Sequence, residues 1–368
     1  MQIKGLYMNE LKIGKYTIEK PIVQGGMGVG ISWDRLAGNV SLEGGLGVVS
    51  SVGTGYYEDK QFSQKNIANK PHTETNFYCK DALVEIISKA RDICGDKPLA
   101  CNVLYASNDY GRIVTDACEA GIDMIITGAG LPTNMPEFTK NHPDVALIPI
   151  VSSARALKLI CKKWKRYGKL PDAIIVEGPL SGGHQGFSYD QCFEEEFQLE
   201  NIVGPVIEEA KKWSDHMPII AAGGVWDKND IEKYLELGCS GVQMGTRFIG
   251  TYECDAHAEF KKIILDCKEE DIKLLKSPVG LPARGVLTNL QDSIEKGTAP
   301  KVACISNCVA PCNRGEEAKL VGYCIADALS DAYQGKTETG LFFTGANGYR
   351  IDQLYSVKEL MDKLTNGE

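Results

Sequence analysis

Nowhere in its 368 residues does the chain run to eighteen consecutive apolar residues, and the opening MQIKGLYMNELKIGKYTIEKP has neither an apolar stretch nor a small-residue cleavage site. A membrane span and export are therefore not expected, and the cytoplasm is the expected compartment. A basic block is missing too. Lys and Arg number 40 against 49 Asp and Glu, a net charge of −9, so nucleic acid and anionic membranes find little to attract them. Small neutral or modestly charged substrates fit that balance better. A disulfide framework is also lacking: the 13 cysteines are odd in number, and the first nine scatter through apparent elements, as reduced thiols do. No low-complexity tract is present.

What is there reads as an ordinary globular protein, 43% hydrophobic and 24% charged. From Pro21 to about residue 250, short apolar runs alternate with amphipathic helical ones. PIVQGG, LGVVSS, LACNVLY, MIITGAG, ALIPIVSS, AIIVEG, PIIAAGG and GVQMGTRF are the strand candidates. Between them, patterns such as DALVEIISKARDIC and ARALKLICKKWKRYG place apolar residues near i, i+3 and i+4 and end at or near glycine. Eight such units predict an α/β fold, a (β/α)8 TIM barrel over residues 1–260. The rival, a doubly wound open sheet, lacks the GxGxxG expected after its first strand; QGGMGVG there supplies glycines only. Beyond the barrel the alternation stops, and residues 261–368 read as a C-terminal helical extension. One strand-to-helix connection, residues 53–80, is too long for a turn and carries Tyr56, Tyr57, Phe62 and Phe77; it is read either as a lid over the barrel mouth or as a surface excursion.

In such barrels the loops after strands seven and eight commonly bind phosphate, because glycine lets backbone N–H groups reach an oxyanion. Strand seven ends in Gly223 and Gly224, strand eight in Gly245 and Thr246. No Walker-type lysine accompanies them, so the held phosphate of a cofactor such as FMN suits better than a transferred phosphoryl group. The loop after strand six, GPLSGGHQGF, sets His184 beside Gly183 and three more glycines. A lone loop histidine is commonly just solvated. Here the missing side-chain bulk on both sides is what a backbone passing close to a planar ligand needs, and an imidazole there can donate or take a proton. Glu177, at the end of the same strand, is a second candidate beside the reading of a strand-end salt bridge.

PIVQGGMG, CNV, TGAG, VEGPLSGGHQG, PIIAAGG and VQMGTRF, in this order, resemble the nitronate monooxygenase (2-nitropropane dioxygenase) family over about residues 10–260. That family also holds FMN-dependent enoyl-ACP reductases and NAD(P)H:quinone reductases. The resemblance implies a TIM barrel with FMN at its C-terminal mouth. It implies Gly25, Gly26 and Met27 along the flavin, Asn102 and Gln243 on its ring or ribityl chain, and Gly223, Gly224, Gly245 and Thr246 on its phosphate. His184 falls on the family's catalytic histidine. NAD(P)H is an expected co-substrate for the reductases. An acyl carrier protein is an expected partner only under the enoyl reductase reading, for which KKWKR is the one local basic cluster noted. Outside the redox class, an isomerase binding a phosphorylated substrate at the same glycines is the alternative.

The chain departs from the family in its tail, where Cys304, Cys308, Cys312 and Cys324 cluster. Pro311 interrupts any helix that would align the first three. The readings are reduced structural thiols, an iron-sulfur cluster, or zinc or a redox disulfide; the spacing matches no ferredoxin or zinc-finger pattern.

Overall fold

A computed structural model describes residues 8–57, 77–299, 302, 308–312 and 316–367. The middle of the long loop and Cys304 therefore lie outside the described residues. Every strand candidate forms: β3 (Ile22–Gln24), β4 (Gly47–Ser50), β5 (Leu99–Leu104), β6 (Met124–Gly128), β7 (Ala146–Val151), β8 (Ile174–Glu177), β10 (Ile219–Ala222) and β11 (Gly241–Met244). They make one parallel sheet in the order β3-β11-β10-β8-β7-β6-β5-β4. The sheet closes on itself, because the Gln24 amide donates to the Leu46 carbonyl and the Leu46 amide to that of Ile22, both at 2.9 Å.

Period-two alternation sorts the strand side chains. Val48, Ala100, Ile126, Ile148, Ile175 and Ile220 pack together as the barrel interior, while their strand neighbours Val49, Cys101, Ile125, Leu147, Ile174 and Ala221 join the core under the helices. An N-terminal hairpin, β1 (Leu11–Ile13) and β2 (Tyr16–Ile18), adds Leu11, Ile13 and Ile18 to the interior cluster and plugs the end where the strands begin. The outer helices follow the predicted periodicity. In Ala154–Trp164, capped by the Ser153 hydroxyl, the buried residues are Leu157, Ile160, Cys161 and Trp164, one stripe at i, i+3, i+4 and i+7. Burying a large apolar side chain of this kind stabilises by about 1.5–3 kcal/mol.

The extension carries helices, including Ala258–Asp266, Asn289–Glu295, Ile325–Tyr333 and Val357–Asn366. It also carries three short strands that the periodicity did not predict: β12 (Ile272–Leu275), β13 (Ala283–Val286) and β14 (Phe342–Phe343). β13 pairs with both of these and, on the barrel side, with β9 (Gly183–His184). Two to four residues hold too little pattern to read locally; their partners, not their propensity, define them. No helix among the described residues is long and apolar enough to cross a membrane.

Candidate active site

A cavity of about 690 Å³ opens at the C-terminal ends of the barrel strands. Gly25, Gly26, Met27, Asn102, Gly183, His184, Gly223, Gly224, Gln243, Gly245 and Thr246 all line it, as does Glu177. Alternation explains the polar side chains among them. Asn102 follows the inward Ala100 by two residues, and Glu177 likewise follows Ile175. Ala222 stands in register with Glu177 on one side and Gln243 on the other, so acid, methyl and amide form one row across the barrel mouth. Neighbouring strands lie about 4.8 Å apart, which puts the acid and the amide about 10 Å from each other.

Gly223 and Gly224 have φ of 94° and 97°, a left-handed turn that exposes backbone amides at the end of β10. The sequence reading missed what completes this end. Thr344, Gly345 and Asn347, from the extension's LFFTGANG, line the cavity beside them. Asn347 donates its side-chain amide to the Gly224 carbonyl at 2.7 Å, and the Gly345 amide donates to the Thr246 hydroxyl at 2.8 Å. The glycine density of that segment was the available signal. Among the buried side-chain atoms without a hydrogen-bond partner are the Gln243 Oε1 and the Thr344 Oγ1. Buried polar atoms without partners carry a desolvation cost, and these two border the same cavity. An FMN fits this donor set: a ring or ribityl group for the amide, and a phosphate for the hydroxyl and glycine amides.

His184 stands on β9, half-buried, its Nε2 2.7 Å from the Ser277 Oγ and its ring edge-on to Phe343 at 5.4 Å. Burial pushes its pKa down to about 4, so the ring is neutral at neutral pH. Its loop is braced by the extension. Arg284 donates to the Pro179 carbonyl at 2.9 Å, the Ala346 amide donates to the Leu180 carbonyl at 3.0 Å, and a Cβ on Gly182 would lie 2.7 Å from the Gly345 nitrogen. Burial alone raises the Glu177 carboxyl to about 7, and among the described residues no cation pairs with it at the strand end. No lysine or arginine lines the cavity among the described residues, and much of its wall is apolar: Val279, Leu281, Leu329, Leu341 and Phe343 among others.

Cys308 borders the cavity, where its segment pairs with the loop after β5 through an Asn108-to-Cys308 hydrogen bond. Cys312 is partly exposed, and Cys324 precedes the helix Ile325–Tyr333. Among the described residues no three His, Cys, Asp or Glu side chains gather as a metal ion needs. KKWKR, residues 162–166, ends a helix that runs back from the C-terminal end of β7 towards the start of β8, which places the cluster at the end of the barrel away from the cavity.

The nitronate monooxygenase family model matches residues 9–367. A probable nitronate monooxygenase of Staphylococcus saprophyticus is 28% identical over 74% of this chain and 77% of its own length. One from Bacillus subtilis is 26% identical over 78% of this chain and 82% of its own. Among solved structures, FabK from Thermotoga maritima superposes with a TM-score of 0.70 at 26% identity, covering 95% of this chain and 93% of that one. With the family model spanning barrel and extension alike, the chain belongs to the nitronate monooxygenase family of oxidoreductases.

Proposed function

We propose that the protein is an FMN-dependent oxidoreductase in which His184 handles a proton on the substrate. The observation that carries this is convergence: residues at or just past the ends of all eight barrel strands and from the extension meet at one cavity that leaves Gln243 Oε1 and Thr344 Oγ1 without partners. Gly25, Gly26, Met27, Asn102, Gly183 and Gln243 would hold the ring and ribityl chain. Gly223, Gly224, Gly245 and Thr246, with Thr344 to Asn347, would hold the phosphate through amides and hydroxyls and without a cation. FMN supplies exchange of an electron pair, or of one electron at a time, which no side chain here can provide. The chain's own residues orient the substrate against it, exclude water with the apolar wall, and place a neutral imidazole beside it.

The curated relatives' names support oxidation of a nitronate with O2. A second reading is favoured by the lining: a nitronate is an anion, and among the described residues this wall offers no lysine or arginine but does hold Glu177. A neutral acceptor, such as a quinone or an enoyl thioester, reduced at the expense of NAD(P)H, suits that wall better. The likeness to FabK agrees with an enoyl-ACP reductase. A carrier protein would then dock at the mouth, since KKWKR lies at the far end. The test is the visible spectrum of the anaerobic protein. Bleaching of a flavin band by NADH or NADPH selects the reductase; bleaching by propyl-2-nitronate alone selects the monooxygenase. No flavin band even after FMN is added back overturns both and returns the isomerase.

A further inference from the structure

A second cavity, of about 630 Å³, lies at the end of the barrel where the strands begin. The helices Ala154–Trp164 and Leu199–Lys211 pack side by side and both run towards that end, and the cavity opens where they finish. Lys158, Lys165, Lys169, Lys212, Glu209 and Trp213 line it. Four ammonium groups thus share a wall with one carboxylate, in a chain whose net charge is −9.

That carboxylate is already engaged. Glu209 is buried; its Oε2 accepts from Lys212 Nζ at 2.8 Å and its Oε1 from Trp213 Nε1 at 3.0 Å. Asp172, the partner of Lys169, is engaged as well: its Oδ2 lies 3.3 Å from Lys169 Nζ and accepts the Leu147 amide at 2.8 Å. Lys158 and Lys165 are exposed and enter no ion pair among the described residues. They stand seven residues apart, two helical turns, and so share one face.

Lysines in the last turn of a helix are ordinary, because the carbonyl end of its dipole favours them. That accounts for Lys162, Lys163 and Lys211. It does not account for Lys158, in the middle of its helix, or for Lys169, beyond the end of it. Trp213 gives the same cavity a flat wall, pinned through its N–H by Glu209.

We propose that this cavity binds a multiply charged, phosphate-bearing anion, a nucleotide or an inorganic polyphosphate, through Lys158 and Lys165 together with Lys169 and Lys212. Ammonium groups hold phosphate as point charges and need no fixed geometry. Two lysines without a carboxylate are matched by two negative charges, which a polyphosphate carries on adjacent groups. An indole wall takes a base by stacking. The site shares no residue with the cavity at the other end of the strands, so it stands whatever that cavity binds.

The test is isothermal titration calorimetry at low salt, with excess FMN present, using inorganic tripolyphosphate and ATP as probes. Saturable binding of at least one is expected, and it weakens as salt is raised. In Lys158→Gln/Lys165→Gln the affinity falls about tenfold, the loss of two exposed charge pairs. Lys262→Gln/Lys273→Gln makes the same change of net charge at exposed lysines of the extension, and it binds as native does. Tighter binding of ATP assigns a nucleotide that uses Trp213; equal or tighter binding of tripolyphosphate assigns the phosphates alone. Absence of saturable binding by both probes overturns the proposal. So does native affinity in Lys158→Gln/Lys165→Gln, or an equal loss in Lys262→Gln/Lys273→Gln.

Discussion

The eight barrel strands and the residues beyond Phe260 wall the same cavity from two sides, by different physics. In the barrel each strand pairs with parallel neighbours in a closed ring, and its alternation is set by burial on both faces. From the strands themselves, polar groups enter the mouth at inward positions: Asn102, Glu177 and Gln243. The extension has no such repeat. Its three short strands depend on partners up to about a hundred residues away, and what it contributes is a set of single braces: Ser277 on His184, Arg284 on Pro179, Asn347 on Gly224. The barrel, on this comparison, supplies the mouth of the cavity, and the extension closes and braces it.

The comparison is broken most easily with two glycines. A Cβ on Gly47 of β4 would lie 1.8 Å from the Ala37 carbonyl oxygen, inside the strand-to-helix packing, whereas one on Gly182 would press on the seam with Gly345. Gly47→Ala is expected to cost about 3 kcal/mol or more, read as a large fall in Tm and loss of soluble protein. Gly182→Ala is expected to leave the barrel's unfolding transition near native while activity falls. Equal damage from both would show that the two regions are one unit.

Next in size is His184→Ala, which should keep bound flavin yet lose turnover by about 10²–10⁴-fold; turnover near normal would take the chemistry away from the seam. Asn347→Ala sharpens the division at the phosphate end. Loss of one hydrogen bond costs about 1 kcal/mol, so the FMN Kd measured by fluorescence quenching should rise about fivefold. An unchanged Kd would give that end to the barrel alone.

The last test is in pH. Glu177, at about 7 in the folded protein, lies above an unfolded carboxyl near 4.3, so the folded state holds its proton longer, and stability falls as pH rises through that interval. His184, at about 4, lies below the unfolded value near 6.5; the unfolded state takes the proton first, and stability falls as pH drops through that window. Glu177→Gln should flatten the first limb of a Tm-against-pH curve and leave the second. A curve identical to native would mean the carboxyl is solvated at the mouth.

The sequence was legible where the physics is local. Eight apolar runs with alternating helices announced the barrel, and GGH, AAGG and MGTRF announced the loops on its C-terminal face, since glycine at a strand end already says that backbone is doing the contacting. Asn102 and Gln243 were reached through resemblance, and period-two alternation now shows why they face inward. Ser277 was illegible: a serine seven residues before an arginine carries no sign that a hairpin will turn it onto a histidine 93 residues earlier. Thr344 and Asn347 sat in a visible glycine-rich segment, but which wall it would join depended on a β13 to β14 pairing that no short-range pattern encodes.

The seam also has a place in time. A ribosome has finished every barrel strand at Met244, yet Gly182 has nothing to rest against until Gly345 is made, about a hundred residues later. Synthesis runs at about 5–20 residues per second, so the strand ends are made several seconds before the segment that walls them. The wall that Thr344, Gly345 and Asn347 add beside Gly223 and Gly224 is thus among the last parts of the cavity to be made.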